Sequence, residues 1–240
     1  MQIKTAGIVL HSLKYSDSAT IVTIYTQQFG RVSYMVYGVN KKKAICRPAL
    51  LQPLSIVELD VAHVPGKEIQ HIKEIRTTIP FVEIPFEPVK NSIALFLSEV
   101  LFRTLRQSEP DEELFSFLEK SIQLLDCCEQ GVANFHLVFL LKLTRYLGCA
   151  PNSEKETNGY FDLINGLFLQ QRPLHSHYLL PEVSKDFLTL LNLDYQNLDS
   201  LVFSRKRRVE LLEGIVEYYR LHVPDFNGLH SLEVLQHLFN

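Results

Sequence analysis

The sequence predicts an α+β protein, with a small N-terminal β-barrel followed by an all-α helical bundle that carries one short irregular β-hairpin. Periodicity is the first observation behind this prediction. From Thr5 to Thr78, apolar and polar side chains alternate with a period near two, and β-branched and aromatic residues lie between turn signals. After residue 88, apolar residues mostly recur at helical spacing. A run of strands followed by a run of helices is typical of α+β proteins.

Charge and proline content divide the chain at the same place. Residues 1–78 hold 10 Lys and Arg against 5 Asp and Glu, whereas residues 79–240 hold 14 against 22. Three prolines in residues 79–88 disfavour regular structure between the basic and the acidic region. We therefore predict a domain of residues 1–79 followed by a domain of residues 80–240, each large enough for its own core.

Five strands are predicted in the first domain, and glycine turns join two pairs of them. Gly30 follows the second strand and Gly66 follows the fourth, and glycine accepts the positive φ that tight hairpins need. Short strands without crossover helices bury one face each by closing into a small barrel, so we predict an OB-fold. The predicted strands are approximately residues 5–14, 19–26, 31–38, 53–62 and 67–77.

The third strand offers two sets of side chains, of which one must face the barrel core. Alternation does not show which set is outside. A tyrosine on an exposed barrel face stacks nucleic-acid bases, whereas a half-buried tyrosine only packs, and both interpretations are open for Tyr34 and Tyr37. The two sets are Val32, Tyr34 and Val36, and Ser33, Met35 and Tyr37.

A basic loop follows the third strand. The connection from Gly38 to Pro48 carries four cations and no acidic residue. A lysine run in a loop is commonly only a solvated surface, but on a barrel with further exposed cations and tyrosines it forms a track for phosphates. Lysine contacts are blind to base sequence, so no sequence specificity is expected. The predicted DNA-binding residues are Lys14, Arg31, Tyr34, Tyr37, Lys41, Lys42, Lys43 and Arg47, with Tyr15 and Tyr25 also expected to be exposed.

The second domain is predicted to contain six helices and one small hairpin. Asp111 is suited to cap the second helix, and the third helix is apolar nearly all round, which is typical of the centre of a bundle. Two very short strands meet at the Asn165-Gly166 turn. The predicted helices are approximately residues 89–107, 111–126, 132–147, 184–193, 204–223 and 229–239.

The helix that begins near Ser204 has an unusual first turn. Arg205, Lys206, Arg207 and Arg208 lie there, at the end where the helix dipole favours anions. Each exposed cation at that end costs roughly 0.3–1 kcal/mol, so local helix stability does not account for them. Either nearby acids neutralise these cations or an anionic partner does.

Composition excludes several classes of protein. Apolar residues make up 46% of the chain and charged residues 21%, which is ordinary for a globular protein. Apolar runs stay well short of the roughly 20 residues of a membrane helix, and we expect a cytoplasmic protein without a secretion signal. The four cysteines contain no C-x-x-C pair, and adjacent Cys127 and Cys128 are interpreted as small apolar fillers. The sequence has no phosphate-binding glycine loop and no G-x-S-x-G element, so we expect neither enzymatic activity nor a cofactor.

Several short motifs are informative in combination. In the first domain they are Gly7-Ile8-Val9-Leu10, Tyr25-Thr26 followed by Phe29-Gly30-Arg31, Gly38 with its basic loop, and Leu51-Gln52-Pro53-Leu54. In the second domain they are Leu147-Gly148 with Pro151, and Tyr218-Tyr219-Arg220-Leu221-His222 through Leu232. With these motifs the chain resembles the bacterial recombination and DNA-repair family RecO over essentially its full length.

The resemblance implies a non-enzymatic, nucleoid-associated recombination mediator. RecO-like proteins bind single- and double-stranded DNA, anneal complementary strands coated by single-strand DNA-binding protein (SSB), and help load RecA together with RecR. They also bind the acidic, apolar C-terminal tail of SSB through the helical domain, which requires an apolar groove rimmed by cations. The candidates for this contact are Lys142, Arg145, Arg205, Lys206, Arg207 and Arg208. An adaptor that binds acidic peptides and uses the barrel only as a scaffold is the alternative.

One departure from the family pattern concerns zinc. Many members carry a four-cysteine zinc site after the Leu-Gly-x-x-Pro element, whereas residues 152–157 and 165–168 contain no cysteine here. We expect the zinc site to be lost within residues 149–180, with no bound metal. His175 and His177 form an H-x-H pair, and such pairs are metal ligands in some proteins and structural in others. A metal-assisted hydrolase that uses these histidines and Asp162 is a further hypothesis, from a different class.

Overall fold

The computed structural model describes residues 2–37, 47–106, 109–152 and 159–238. Its N-terminal part is a closed five-stranded barrel with the strand order β1-β2-β3-β5-β4, in which β1 pairs with both β2 and β4. A parallel pairing of β3 with β5 completes the ring. The OB-fold predicted from the sequence is thereby confirmed. The strands are β1 (Gln2–Lys14), β2 (Ala19–Thr26), β3 (Gly30–Tyr37), β4 (Ile56–Ala62) and β5 (Ile69–Ile79).

Alternation along β2 and β3 fills the barrel. Val32, Tyr34 and Val36 point inward and are at most 9% exposed, and Val22 and Ile24 of β2 pack with them. The predicted glycine turns are present, with φ of 63° at Gly30 and 78° at Gly66. The inward set of the third strand is therefore the one that contains Tyr34.

Two helices pack with the barrel in one compact unit, Met1–Cys127. These are α1 (Pro88–Thr104) and α2 (Glu112–Cys127). Asp111 caps α2 as predicted, because its carboxylate accepts a hydrogen bond from the backbone N–H of Leu114 at 2.9 Å. The domain boundary predicted near residue 79 stays a prediction, since packing separates residues 1–127 from residues 128–240.

A buried carboxylate fixes the segment that joins β5 to α1. Asp126, which is 6% exposed, accepts hydrogen bonds from the backbone N–H groups of Val82, Glu83 and Ile84 at 2.8–2.9 Å. Lys90, 4% exposed, donates to the backbone carbonyl of Asp126 and to the Glu83 carboxylate. The connection is held by satisfied polar groups rather than by regular structure.

The second compact unit, Cys128–Asn240, is built around one helix. The central helix α3 (Val132–Tyr146) is buried along most of its length, as predicted. The other elements are β6 (Tyr160–Asp162), β7 (Leu167–Leu169), β8 (Tyr178–Leu179), α4 (Pro181–Leu191), α5 (Arg205–His222) and α6 (Ser231–Leu238).

Several element limits differ from the predicted ones. The helix α4 begins at Pro181 rather than near Ser184, because proline is well suited to the first helical position. The strand β8 and the short 3₁₀ helices Pro48–Leu51 and Tyr195–Ser200 were not predicted. The predicted ends at residues 38, 107 and 239 lie outside the described residues. Within the described ranges, no helix combines the length and the apolar character needed to cross a membrane.

Candidate nucleic-acid interface

A row of apolar side chains crosses the outer face of the barrel. The strand registers pair Leu13 with Ile21 and Ile21 with Met35, so these three residues lie side by side on β1, β2 and β3. Tyr37 lies on the same face of β3, two residues beyond Met35. Leu13 is 55% and Tyr37 59% exposed, while Ile21 and Met35 are half-buried. We call Leu13, Ile21, Met35 and Tyr37 the apolar strip, and its exposure is unusual because solvent-facing strand positions are commonly polar.

The other half of this outer face is covered by α1 and α2. Arg31 donates to the backbone carbonyl of Phe102 at 2.8 Å, and its guanidinium lies 4.4 Å from the centre of the Phe102 ring. The ring of Tyr25 stacks on that of Phe115 with centroids 6.3 Å apart. The barrel therefore presents only the half of its β2–β3 face that lies near the β1–β2 hairpin.

This cover corrects two predictions. Tyr25, expected to be exposed, is 0% exposed, and burial raises the pKa of its hydroxyl to about 12. Arg31, expected to contact DNA, is engaged with α1, and burial lowers the pKa of its guanidinium. Both side chains do point outward from β2 and β3, as alternation requires, but the helices that cover them lie far away in the sequence.

The structure also corrects the prediction that Tyr34 contacts DNA. Its side chain lies inside the barrel, 0% exposed, and burial raises the pKa of its hydroxyl above the usual value. A ring in the closed core cannot reach a base. Its neighbour in the pattern, Tyr37, has the accessibility that stacking requires, so of the two tyrosines predicted to contact DNA only Tyr37 remains a candidate.

Two further exposed side chains border the apolar strip. Tyr15, at the tip of the β1–β2 hairpin, is 67% exposed, as expected. His71 pairs with Met35 across the parallel β3–β5 ladder, and its ring lies near that of Tyr37, with centroids 6.3 Å apart and planes 18° from parallel. Leu13, Ile21, Met35 and His71 were not predicted as site residues, although large apolar residues on both faces of one strand were a visible signal in the sequence.

A groove of about 300 Å³ lies beside the same hairpin. Ser12, Ser16, Ser18 and Thr20 line it, together with Pro48 and Leu51 of the short 3₁₀ helix. Lys14 stands at its rim and forms an exposed ion pair of 3.0 Å with Asp17. Such a pair contributes little to stability, so Lys14 remains available to a phosphate.

Of the basic loop, the structure describes residues 47 and 48. Arg47 is exposed at the start of the short 3₁₀ helix. Lys41, Lys42 and Lys43 lie outside the described residues, and their assignment as DNA contacts stays a prediction. In the sequence, Lys41 comes four residues after Tyr37.

The proposed partner-binding cations differ in accessibility. Lys142 is paired with Asp194 at 3.0 Å and lies 5.6 Å from the centre of the Tyr195 ring, whereas Arg145 is exposed. Arg205 and Lys206 are exposed at the start of α5. Arg208 donates to the backbone carbonyl of Phe203 at 2.7 Å.

The contacts of Arg207 show what neutralises one of the four cations in the first turn of α5. Its guanidinium forms ion pairs with Asp186 and Glu210 at 3.0 Å and with Glu182 at 3.5 Å. Nearby acids thus neutralise this cation, which was one of the two interpretations of the cluster. The groove beside it, of about 480 Å³, is lined by Glu182 and Glu210 as well as by Lys206 and Arg207, so its charge is mixed.

Asp162 organises the small hairpin in the region where the family zinc site was expected to be lost. The carboxylate, 3% exposed, accepts hydrogen bonds from the backbone N–H groups of Ile164 and Asn165 and from the Asn165 side chain at 2.7–3.1 Å. His175 Nε2 lies 3.2 Å from it, and His177 Nδ1 lies 3.0 Å from Glu217 Oε1. Among the described residues, no three His, Cys, Asp or Glu side chains are grouped to hold a metal ion.

Replacing Asp162 by asparagine should destabilise the second unit by about 1–3 kcal/mol at neutral pH, because two backbone N–H donors lose a charged, buried acceptor. Burial alone would raise the pKa of Asp162, but the hydrogen bonds from Asn165, Ile164 and His175 outweigh it and hold the pKa below its usual value. The contribution of a carboxylate with a depressed pKa is present above its unfolded pKa and is lost as the pH falls through its folded pKa.

Urea unfolding followed by circular dichroism measures this effect. The difference between the wild-type protein and Asp162→Asn should be constant above about pH 5 and should shrink below about pH 4. The control is Asp194→Asn, which removes an ion pair to Lys142 from a carboxylate that is 78% exposed. Equal stability of Asp162→Asn and wild type at neutral pH would contradict the role given to this carboxylate.

Comparison with known proteins matches this architecture to one family. The description "Recombination protein O N terminal" matches residues 1–81, and "Recombination protein O C terminal" matches residues 85–233. Both halves of the chain thus match consecutive parts of one kind of protein, an OB-fold barrel joined to a helical region. The chain belongs to the recombination protein O (RecO) family.

Full-length relatives carry the same family name. The chain is 44% identical over 239 residues to the DNA repair protein RecO of Bacteroides fragilis, and 42% identical over 238 residues to that of Phocaeicola vulgatus; each alignment covers 99% of both chains. It is 34% identical over 242 residues to the DNA repair protein RecO of Flavobacterium psychrophilum, covering 100% of both chains. The resemblance inferred from the short motifs is thereby confirmed.

Proposed function

We propose that this chain is a DNA-repair and recombination mediator that binds single- and double-stranded DNA and anneals complementary strands coated by SSB. Membership of the RecO family over the full length is the observation that carries the proposal. The structure adds a closed OB-fold barrel with one open half of its outer face, flanked in the sequence by a loop rich in lysine. Annealing requires that two polyanions approach each other, and cations bound to both strands lower that repulsion.

The proposed activity needs no covalent chemistry. Strand annealing makes and breaks base pairs only, so it calls for binding and charge neutralisation rather than for a nucleophile or a general acid. We propose accordingly that the protein is not an enzyme. The hydrolase alternative draws no support from His175 and His177, because each imidazole is directed at a carboxylate of the same chain, Asp162 or Glu217.

We propose that the helical region binds the protein partners, RecR and the acidic C-terminal tail of SSB. An acidic tail requires cations that internal acids do not already neutralise. Arg145 is exposed and meets that description better than Arg207, which contacts three carboxylates. Assistance in loading RecA would follow from displacing SSB at the strand that the barrel holds.

Annealing of SSB-coated complementary oligonucleotides, followed by fluorescence energy transfer between end labels, tests the proposal. We expect the protein to accelerate annealing, and RecR to be dispensable for this step. The scaffold alternative predicts instead that the chain binds an acidic SSB-tail peptide but no oligonucleotide. Titrating both probes separately against the full chain therefore distinguishes the two functions.

Binding to single-stranded DNA should weaken steeply with salt. If about six phosphates are neutralised, the logarithm of the association constant should fall with the logarithm of salt concentration with a slope of roughly −4. Fluorescence anisotropy of a labelled oligothymidylate at several salt concentrations measures this slope. A flat salt response would remove the electrostatic mechanism.

A further inference from the structure

Two adjacent cysteines lie at the C-terminal end of α2. Cys127 is the last residue of that helix, and Cys128 is the first residue after it. Both side chains are thiols in the structure, and that of Cys127 is exposed whereas that of Cys128 is half-buried. The interpretation of this pair as small apolar fillers is therefore wrong for Cys127, because a filler lies inside a core.

We propose that Cys127 and Cys128 are a reversible oxidation site, at which hydrogen peroxide converts the two thiols into a disulfide between neighbouring residues. The thiolate of exposed Cys127 attacks one peroxide oxygen, so the O–O bond breaks and a sulfenic acid and water result. The Cys128 sulfur then attacks the Cys127 sulfur, and the S–O bond breaks as the S–S bond forms. In total, the two thiols lose two electrons and two protons, and one hydrogen peroxide becomes two molecules of water.

The end of the helix makes this pairing possible. Consecutive side chains of an α-helix project about 100° apart, so they do not face each other. Because Cys128 lies outside α2, its backbone is not bound to that arrangement. Its thiol donates a hydrogen bond to the backbone carbonyl of Gln130 at 3.0 Å. A thiol is a weak donor, so little is lost when Cys128 turns towards its neighbour.

Ring strain makes a disulfide at this position readily reducible. Adjacent α-carbons lie about 3.8 Å apart across a trans peptide, whereas the α-carbons of most disulfides are about 4.4–6.8 Å apart. A disulfide in so short a ring stores strain, and strained or exposed disulfides are the labile ones. We therefore expect low-molecular-weight thiols to restore the pair. While the ring persists, it restricts the backbone directly after Asp126, whose carboxylate holds the segment between β5 and α1.

Cys149 and Glu129 indicate which thiols react and with which oxidant. Cys149 is half-buried, and burial raises the pKa of its thiol, so less of it is the reactive thiolate. Its neighbours in the sequence are Gly148 and Ala150, so no adjacent thiol can resolve a sulfenic acid there. The exposed carboxylate of Glu129, next to Cys128, disfavours anionic oxidants such as glutathione disulfide. An uncharged peroxide meets no such repulsion.

Mass mapping of the full chain tests the oxidation site. After treatment with hydrogen peroxide, the remaining thiols are alkylated and the chain is digested with trypsin, which leaves residues 121–142 as one peptide with both cysteines. We expect this peptide to lose both alkyl groups and to be lighter than its reduced, unalkylated form by two hydrogen atoms. Dithiothreitol should restore alkylation of both residues. Cys149→Ser is the matched control and should behave like the wild type.

Single serine variants assign the two roles. In Cys128→Ser, the sulfenic acid of Cys127 should persist and react with dimedone, whereas the wild type should give little of that adduct. Phenylarsine oxide bridges two neighbouring thiols with release of water, and we expect one arsenical on this peptide of the unaltered chain. The site is overturned if the arsenical does not bind there, if both thiols stay alkylatable after oxidation, or if either is linked to Cys46, to Cys149 or to a second chain. The proposed function would stand in each case, because annealing is measured on the reduced protein.

Discussion

Changing Lys41, Lys42 and Lys43 to glutamate should weaken binding to single-stranded DNA about 100-fold at 0.1 M salt, and the salt slope should drop by roughly 2, because three phosphate contacts are lost. Like-charge repulsion from the new carboxylates adds to that loss. Fluorescence anisotropy at several salt concentrations measures both quantities. Annealing of SSB-coated strands should slow in the same variant.

Stability and total charge are the controls for this variant. Surface charges usually contribute little to folding, so the melting temperature is expected to stay close to that of the wild type. The double variants Lys41→Glu/Lys42→Glu and Lys120→Glu/Lys185→Glu change the net charge equally, and the second pair lies on the exposed surfaces of α2 and α4. Equal weakening by both pairs would mean that net charge alone, rather than the basic loop, governs binding.

Replacing Asp126 by alanine should be the most destabilising single change considered, with a loss of about 3 kcal/mol in the free energy of unfolding. Three backbone N–H groups would lose their shared acceptor. The surroundings of buried Lys90, which donates to the backbone carbonyl of residue 126, would rearrange as well. For a chain of this size the melting temperature should fall by roughly 6–12 °C. Thermal melting and urea unfolding followed by circular dichroism measure the effect.

Asp111→Ala is the matched control for that change. Asp111 caps the same helix at its other end through one hydrogen bond to Leu114, and loss of a cap costs about 1 kcal/mol. Asp126→Asn keeps one acceptor oxygen and should fall between the two alanine variants. If Asp126→Ala costs no more than Asp111→Ala, the buried carboxylate does not hold the segment between β5 and α1.

Local signals explain why the barrel could be predicted from the sequence. Period-two alternation and the turns at Gly30 and Gly66 depend on residues that are neighbours in the sequence. These local patterns predicted most strand limits to within a few residues. The fourth strand was predicted to begin at Pro53 but begins at Ile56, because Leu54 adopts a positive φ of 62° in a turn. A leucine at such a φ is uncommon, and alternation carries no sign of it.

Burial of the individual tyrosines could not be predicted from the same signals. Alternation placed Tyr34 and Tyr37 on opposite faces, which is correct, but it does not identify the face that closes over the core. Tyr25 faces outward and is nevertheless buried, because Phe115, from a helix remote in sequence, lies against it. Exposure depended on tertiary packing in both cases, and only Tyr37 and Tyr15 kept it.

The cluster at the start of α5 shows the same limit. Its four cations contradict the helix dipole, so the sequence alone indicated that something must offset them. Two of the carboxylates that offset Arg207 belong to α4, Glu182 and Asp186, and their position follows from how the two helices pack. The sequence posed the choice between internal acids and an external partner, and only the packing decided it for Arg207.

The helices α1 and α2, which cover one side of the barrel, also determine where the polypeptide can be divided into fragments that fold. A fragment that stops at residue 81 would expose the apolar surface around Tyr25 to water. It would also lack the Phe102 carbonyl that accepts a hydrogen bond from Arg31. Such a piece would tend to self-associate, and any oligonucleotide it captured could sit on a flank that the intact chain never offers. Division after Cys127 leaves that cover in place.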